Sequence, residues 1–333
     1  MVVPNIVQVA EGIYSIGPID TDRYSGNTSP FLVVGDRAAI VETGEDSQAA
    51  ALLEAIKEIG VSFDRIDYLI PSHIHTHHSS GINVLLGKLP NSKAVAHQRA
   101  VQHLIDPTRL NEDTVRIWGE GRCSTMKPVP ADRIIGVSGG EVFDLGGREL
   151  EIIATPGHAP HHLCVFDRLT RAMITGDLCE FVPSSKRGVT SINPPVFDAE
   201  KTVEALRLVQ SYKPKILLKW RGGIAHYMVD ELLRTAVEDT MAIERICLEG
   251  MRQKLTADEI DRRVEQYKAK VGVTPGSEED PEGTGSGPAG ARSGLSGLYR
   301  YLTRKYPDLE MPQGAVREGA PERGPAADWR PGN

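Results

Sequence analysis

Four of the ten histidines fall within six positions, in the run Ser72-His73-Ile74-His75-Thr76-His77-His78-Ser79-Ser80-Gly81. The run follows directly on the apolar stretch Ile66–Ile70, which reads as a buried strand. Neutral imidazole is the commonest side-chain metal ligand, and His73 and His75, alternating on an extended loop, can turn toward one point. A solvated polar loop also tolerates histidines, but four crowded by chance at the end of a buried strand is improbable. The run therefore predicts a metal centre where a strand gives way to a loop, the usual site geography of layered α/β folds.

The surrounding residues supply such layers. Residues 1–270 alternate strands and helices. Short strands near Ile6–Val9 and Ile13–Ile16 open the chain, and 30–35 and 38–44 form a pair joined at Gly35-Asp36. Ala49, Leu52, Leu53, Ile56 and Ile59 recur at helical spacing, with Gly60 placed to end the helix. Further strands are predicted near Ile134–Val137, Leu150–Ala154, Leu163–Asp167, Ala172–Thr175 and Lys215–Leu218. One helix starts near Asp198, and a last long one runs from about Tyr227 to Leu248. From Val271 the composition changes: the final 63 residues hold 12 Gly and 8 Pro, which predicts a flexible tail with a short helix near 295–306 that docks back on the core. The expected division is thus a domain over 1–270 and a tail over 271–333.

Two more clusters fall at strand ends. Thr155-Pro156-Gly157-His158-Ala159-Pro160-His161-His162 puts His158 on a tight turn, and Ile174-Thr175-Gly176-Asp177 ends a strand in a carboxylate. Either alone reads as a turn former or a helix cap. Together with the first run they read as ligands. In the predicted strand HHLCVF, His161 and His162 alternate faces, one of them behind the metal. His97 and His103 read as ordinary.

SHIHTHHSSG, TPGHAPHH and ITGD, in this order and spacing, resemble the motifs of the metallo-β-lactamase-fold hydrolase superfamily, which includes glyoxalase II, lactonases and ribonuclease Z. The resemblance covers roughly residues 5–245. It implies a four-layer αββα sandwich of two mixed sheets with helices outside, C-terminal helices, and a metal centre at one edge. On the family pattern His73, His75 and His158 hold a first metal, while His78 and Asp177 serve a second, with Asp177 bridging.

Three departures matter. His77 stands where the family motif has an aspartate. Glu42, in Ile40-Val41-Glu42-Thr43-Gly44, replaces a strand-end aspartate in a structural position behind the ligands. Leu218-Lys219-Trp220-Arg221-Gly222-Gly223 puts Arg221 where a late histidine is expected. Arginine stays protonated and cannot ligate, so His226, at the predicted helix start, is the substitute to test. The two charge changes make the second pocket more positive by about two charges. A firm first site is expected, with a second that is weak, differently populated, or replaced by the Arg221 guanidinium, which suits a carboxylate or phosphate.

The expected function is metal-dependent hydrolysis, with a metal-activated water attacking a small ester, thioester, lactone or phosphodiester. Asp177 would orient the nucleophile, His77 would act as general base when not a ligand, and Arg221 would meet substrate. Zinc, one or two ions per chain, is the expected cofactor, with iron or manganese as alternatives. Iron-dependent redox or oxygen chemistry, and a non-catalytic metal-binding protein with a decayed second site, are the competing readings. The irregular segment 178–197 reads as a lid in which Lys186 and Arg187 offer charge to an anionic substrate, although solvation alone accounts for two basic residues. Cys179 lacks an adjacent base and is not expected to be a nucleophile.

Charge and composition limit the partners. The net charge is −7 with a pI near 5.8, which argues against nucleic-acid binding. No apolar run is long enough for a membrane span, and residues 1–12 carry no secretory pattern. Cys123, Cys164, Cys179 and Cys247 form no CxxC pair and read as free thiols in a reducing cytoplasm. A small-molecule substrate is expected, and a homodimer is the base-rate assembly.

Overall fold

The computed structural model describes residues 4–17, 28–118, 120, 124–182, 187–220, 225–273 and 294–315, with backbone alone for 117, 118, 181, 182, 225 and 226. The predicted flexible stretches of the tail lie outside these residues.

Period-2 side-chain alternation lets one strand feed two cores. In β3 (Phe31–Val34) and β4 (Ala38–Val41), Leu32, Ala38 and Ile40 face one cluster while Phe31, Val33, Ala39 and Val41 face another. These strands lie inside a seven-stranded sheet with β1 (Ile6–Ala10), β2 (Ile13–Ile16), β5 (Ile66–Ile70), β6 (Lys93–His97) and β7 (Ile134–Val137), in sequence order across the sheet. Neighbours are antiparallel from β1 to β4 and parallel from β4 to β7. A second sheet carries β8 (Val142–Asp144), β9 (Glu149–Ala154), β10 (Leu163–Asp167), β11 (Ala172–Ile174), β14 (Ile216–Leu218) and β15 (Ala225–His226), in the order β15-β14-β11-β10-β9-β8. Only β11 and β14 run parallel in it.

The two sheets meet face to face through Phe31, Val41, Ile70, Ile152, Val165 and Leu218. Full burial of each such large aliphatic or aromatic side chain contributes about 1.5–3 kcal/mol. Outside the first sheet lie α1 (Ala49–Ile59), α3 (Ile82–Leu86), α4 (Gln98–Ile105) and α5 (Thr108–Trp118); Leu52, Ile56, Leu85 and Leu104 pack against Leu32 and Ile40. Gly60 ends α1 in the left-handed region at φ 86°. Outside the second sheet, α6 (Ala199–Ser211) and α7 (Val229–Arg252) bury Leu206, Val209, Leu232 and Leu233 on Ile153, Phe166 and Met173. This is the four-layer αββα arrangement.

Several elements differ from expectation. The long helix α7 continues to Arg252, and α8 (Ala257–Lys270) follows it. Thr256 and Glu259 form a reciprocal capping box that starts α8. The predicted docking segment forms α9 (Ser296–Lys305), which buries Leu298, Tyr299 and Leu302 with Phe197, Ile243 and Ile260. Strand β10 begins at Leu163, so His161 and His162 lie in the preceding turn rather than alternating along a strand. Within 178–197 a hairpin of β12 (Glu180–Val182) and β13 (Arg187–Val189) takes up the first half, while 190–197 is irregular as expected. The loop after β5 is not extended throughout: α2 (Thr76–Ser79) begins after His75 and carries His77 and His78.

Candidate metal centre

Both sheets deliver side chains to one edge. From the first sheet, β5 ends at Ile70 and leads into His73 and α2. From the second, β9 leads into the turn with His158, β11 into Asp177, and β14 into Trp220. The Asp177 turn needs glycine before it. Gly176 has φ +51°, and a Cβ there would sit 2.5 Å from the Ser72 side chain and 2.8 Å from His162 Nε2. Gly157 similarly lets the His158 turn approach the Thr202 backbone, where a Cβ would come to 2.7 Å.

Four donor atoms converge. His73 Nε2 lies 2.7 Å from His75 Nδ1, which lies 3.2 Å from His158 Nε2. His158 Nε2 is 3.2 Å from Asp177 Oδ2, and His73 Nε2 is 3.8 Å from the same oxygen. Ligands about 2.05 Å from a tetrahedral zinc stand about 3.3 Å apart, so this set brackets the spacing a zinc ion requires. Donor atoms of His73, His75, His77 and Asp177 also lie within 4.8 Å of one another. The residues present fit a divalent cation.

The surrounding hydrogen bonds fix how the ligands face. His158 Nδ1–H donates to the Ser191 carbonyl at 3.1 Å, which leaves Nε2 with its lone pair toward the centre. His162, fully buried, accepts the Asp177 backbone N–H on Nε2 at 3.2 Å and so presents Nδ1–H to Thr155 Oγ1 at 2.9 Å. It stands behind the ligands, as one of the two adjacent histidines was expected to. Ser72 Oγ lies 3.0 Å from His73 Nδ1. Glu42, at φ 63°, occupies a backbone region that costs a non-glycine residue roughly 1 kcal/mol or more. Its Oε2 accepts from His78 Nδ1 at 2.9 Å and from the Ser72 backbone N–H at 3.3 Å.

Electrostatics favour a cation. Burial, then the neighbouring imidazoles, hold His73 and His75 well below the ordinary histidine range, so both are neutral with lone pairs available. Burial acts the other way on Asp177, but His78 and His158 outweigh it and keep the carboxyl ionised. Burial opposes the charge on His78 as well, yet Glu42 and Asp177 together push it up to about 9.

Of the expected residues, the fold brings together His73, His75, His77, His158 and Asp177. His78 faces the other carboxylate oxygen, with Nε2 3.4 Å from Asp177 Oδ1. His226 lies in β15 opposite Leu217, its side chain outside the described set, and Arg221 lies outside the described residues. Arg187 pairs with Asp239 of α7 at 2.6 Å. Cys164, Cys179 and Cys247 are free and buried. Burial and then Glu180 push the Cys179 thiol up, which fits the expectation that it is no nucleophile. Sequence reasoning gave no role to Trp220, whose Nε1–H donates to Asp177 Oδ1 at 2.6 Å. The only available signal was its place just beyond β14.

The sequence profile of the Metallo-beta-lactamase superfamily matches residues 24–218. The chain belongs to this superfamily. Over 221 residues this metallo-β-lactamase-fold protein is 27% identical to a metallo-beta-lactamase fold-containing protein of Sulfurisphaera tokodaii, covering 64% of this chain and 79% of that one. A coenzyme F420H(2) oxidase of Methanothermobacter marburgensis is 26% identical over 286 residues, which span 70% of this chain and 64% of the oxidase. The chain spans 28% of the length of the Synechocystis diflavin flavoprotein it also matches. A solved metallo-beta-lactamase family protein of Thermus thermophilus superposes with a TM-score of 0.63 at 14% identity, covering 93% of this chain and 99% of that chain. That likeness is one of fold. Among the described residues, no helix is long and apolar enough to cross a membrane.

Proposed function

We propose that the chain is a metal-dependent hydrolase of a small ester, thioester, lactone or phosphodiester, with zinc as its ion. The observation that carries this reading is the convergence of His73 Nε2, His75 Nδ1, His158 Nε2 and Asp177 Oδ2, with four of their separations between 2.7 and 3.8 Å. When bound, a divalent cation supplies a Lewis acid that acidifies water and polarises the oxygen of the scissile bond. The protein's own groups do the rest. Asp177, ionised in a dry pocket, accepts a hydrogen bond from an entering water and aims its lone pair. His73, His158 and Asp177 are buried, whereas His75 and His77 are partly exposed. Substrate therefore enters from the His75–His77 side, where His77 is placed to carry a proton to solvent. The substrate is a small molecule, anionic forms included, and the setting is cytoplasmic, without nucleic acid or membrane as partner.

Redox chemistry on the same centre is the second reading, favoured by the likeness to the F420H(2) oxidase. Elemental analysis of untagged protein purified without chelator separates the two, together with hydrolysis assays on ester, thioester, lactone and phosphodiester panels. Zinc with turnover on one panel supports the hydrolase. Stoichiometric iron with oxygen uptake, and no hydrolysis on any panel, overturns it.

A further inference from the structure

We infer that this centre takes a single metal ion, on the Oδ2 side of Asp177, because the Trp220 indole fills the place a second ion would need; the inference rests on the metal-dependent reading above.

Asp177 has two oxygens serving two sides. Oδ2 faces His158 and His73, at 3.2 and 3.8 Å. Oδ1 accepts the Trp220 indole N–H at 2.6 Å and lies 3.4 Å from His78 Nε2. An indole nitrogen is a donor with no lone pair to give, so it cannot ligate. The indole N–H already takes one lone pair of Oδ1, so a cation about 2.0–2.2 Å from that oxygen would have to lie directly against the N–H.

The indole is also wedged among the remaining donors on that side. It stacks on His77 at 5.3 Å between ring centroids, tilted by 18°, and lies 3.8 Å from the His78 ring. An ion drawing on His77, His78 and Asp177 Oδ1 together would have to expel it. Little permits that movement. Trp220 is fully buried at 0% exposure, packs in the core between the sheets, and holds the Ser29 N–H on its own carbonyl at 2.7 Å. His78 is pinned from behind by Glu42 at 2.9 Å. Trp220 is thus a positioning residue: its N–H fixes the rotation of the carboxylate so that Oδ2 stays toward the imidazoles of His73 and His158.

Metal stoichiometry and spectroscopy test this without any substrate. Native protein, Trp220→Ala and Trp220→His are loaded with excess Mn(II) or Zn(II), desalted, and analysed for ions per chain. One ion is expected for the native protein. Two are expected for each variant, with histidine adding a ligand where the indole had blocked one. Mn(II)-loaded native protein should give the electron paramagnetic resonance of an isolated ion, and the variants that of a spin-coupled pair. Two ions in the native protein, or a coupled spectrum from it, overturn the inference and leave the metal-dependent reading intact. Folded variants that still hold one ion also overturn it. No ion in the native protein removes both the inference and the reading beneath it. Because the native spectrum decides alone, the test survives a variant that fails to fold.

Discussion

His73 and His78 have ring centroids 4.1 Å apart, yet their surroundings push them in opposite directions. Burial and neighbouring imidazoles depress His73, His75 and His162, and depress His161 to about 3, while the carboxylates raise His78 to about 9. The signs give a pH profile for the metal-free protein. Below the ordinary histidine value of about 6.5 the unfolded chain takes up protons that the depressed histidines refuse, so stability falls with acid. Above it the unfolded chain loses a proton that His78 still holds, so the stabilisation from His78 disappears as pH rises toward 9. Urea midpoints of chelated protein at about pH 5, 6.5 and 8.5 should be highest at the middle value; a midpoint that rises on acidification contradicts the arrangement. Removing Glu42 tests the same pocket. Glu42→Ala strands the His78 Nδ1–H in a dry site and should cost about 1–3 kcal/mol, read as a lower urea midpoint near neutral pH. His73→Ala should abolish bound metal and hydrolysis while leaving the far-ultraviolet circular dichroism unchanged.

At the scale of elements, the β12–β13 hairpin shows why a charge seen in sequence can mislead. In sequence Arg187 reads as a solvated charge or as a contact for an anionic substrate. Its partner, Asp239, lies 52 residues away on α7, and only the packing of the hairpin on that helix joins them. Arg187→Ala should therefore destabilise the protein by about 2–3 kcal/mol, as loss of one member of a mostly buried pair does. KM for an anionic substrate should stay unchanged, and a selective rise in KM would restore the substrate role. What local chemistry dictates was legible: the buried runs of β4 and β5, the Gly60 stop of α1 and the ligand motifs themselves. The Thr256–Glu259 box that starts α8 is equally local, a threonine followed three residues later by glutamate. The start of β10 and the short helix α2 were not legible. Both are set by long-range bonds, such as Leu163 N–H to Ser72 O at 2.7 Å and Thr43 Oγ1–H to His78 O at 2.8 Å. Trp220 was illegible for the same reason, its partner Asp177 being 43 residues back.

Across the whole molecule, α9 belongs to the packed structure. Tyr299 donates to Asp261 of α8 at 2.9 Å, and Arg304 to the carbonyls of Pro195 and Phe197 at 3.1 and 2.7 Å. Leu298, 1% exposed, lies in the same cluster as Ile243 and Ile260. Leu298→Ala should cost about 2–5 kcal/mol in urea unfolding, with hydrogen exchange accelerating in α7 and α8 as well as in α9. A loss confined to α9 would mean that this helix is an independent appendage.

The metal centre itself straddles the gap between the sheets. His73 and His75 hang from one, His158 and Asp177 from the other, and Leu163 N–H to Ser72 O crosses beside them. An ion there acts as a rivet through two plates that otherwise adhere by their oily faces. Only the assembled plates offer the hole, so occupancy at roughly a thousandfold excess over Kd should add about 4 kcal/mol to the resistance against unfolding. A melting curve thereby becomes a gauge of which ion the protein prefers and how tightly.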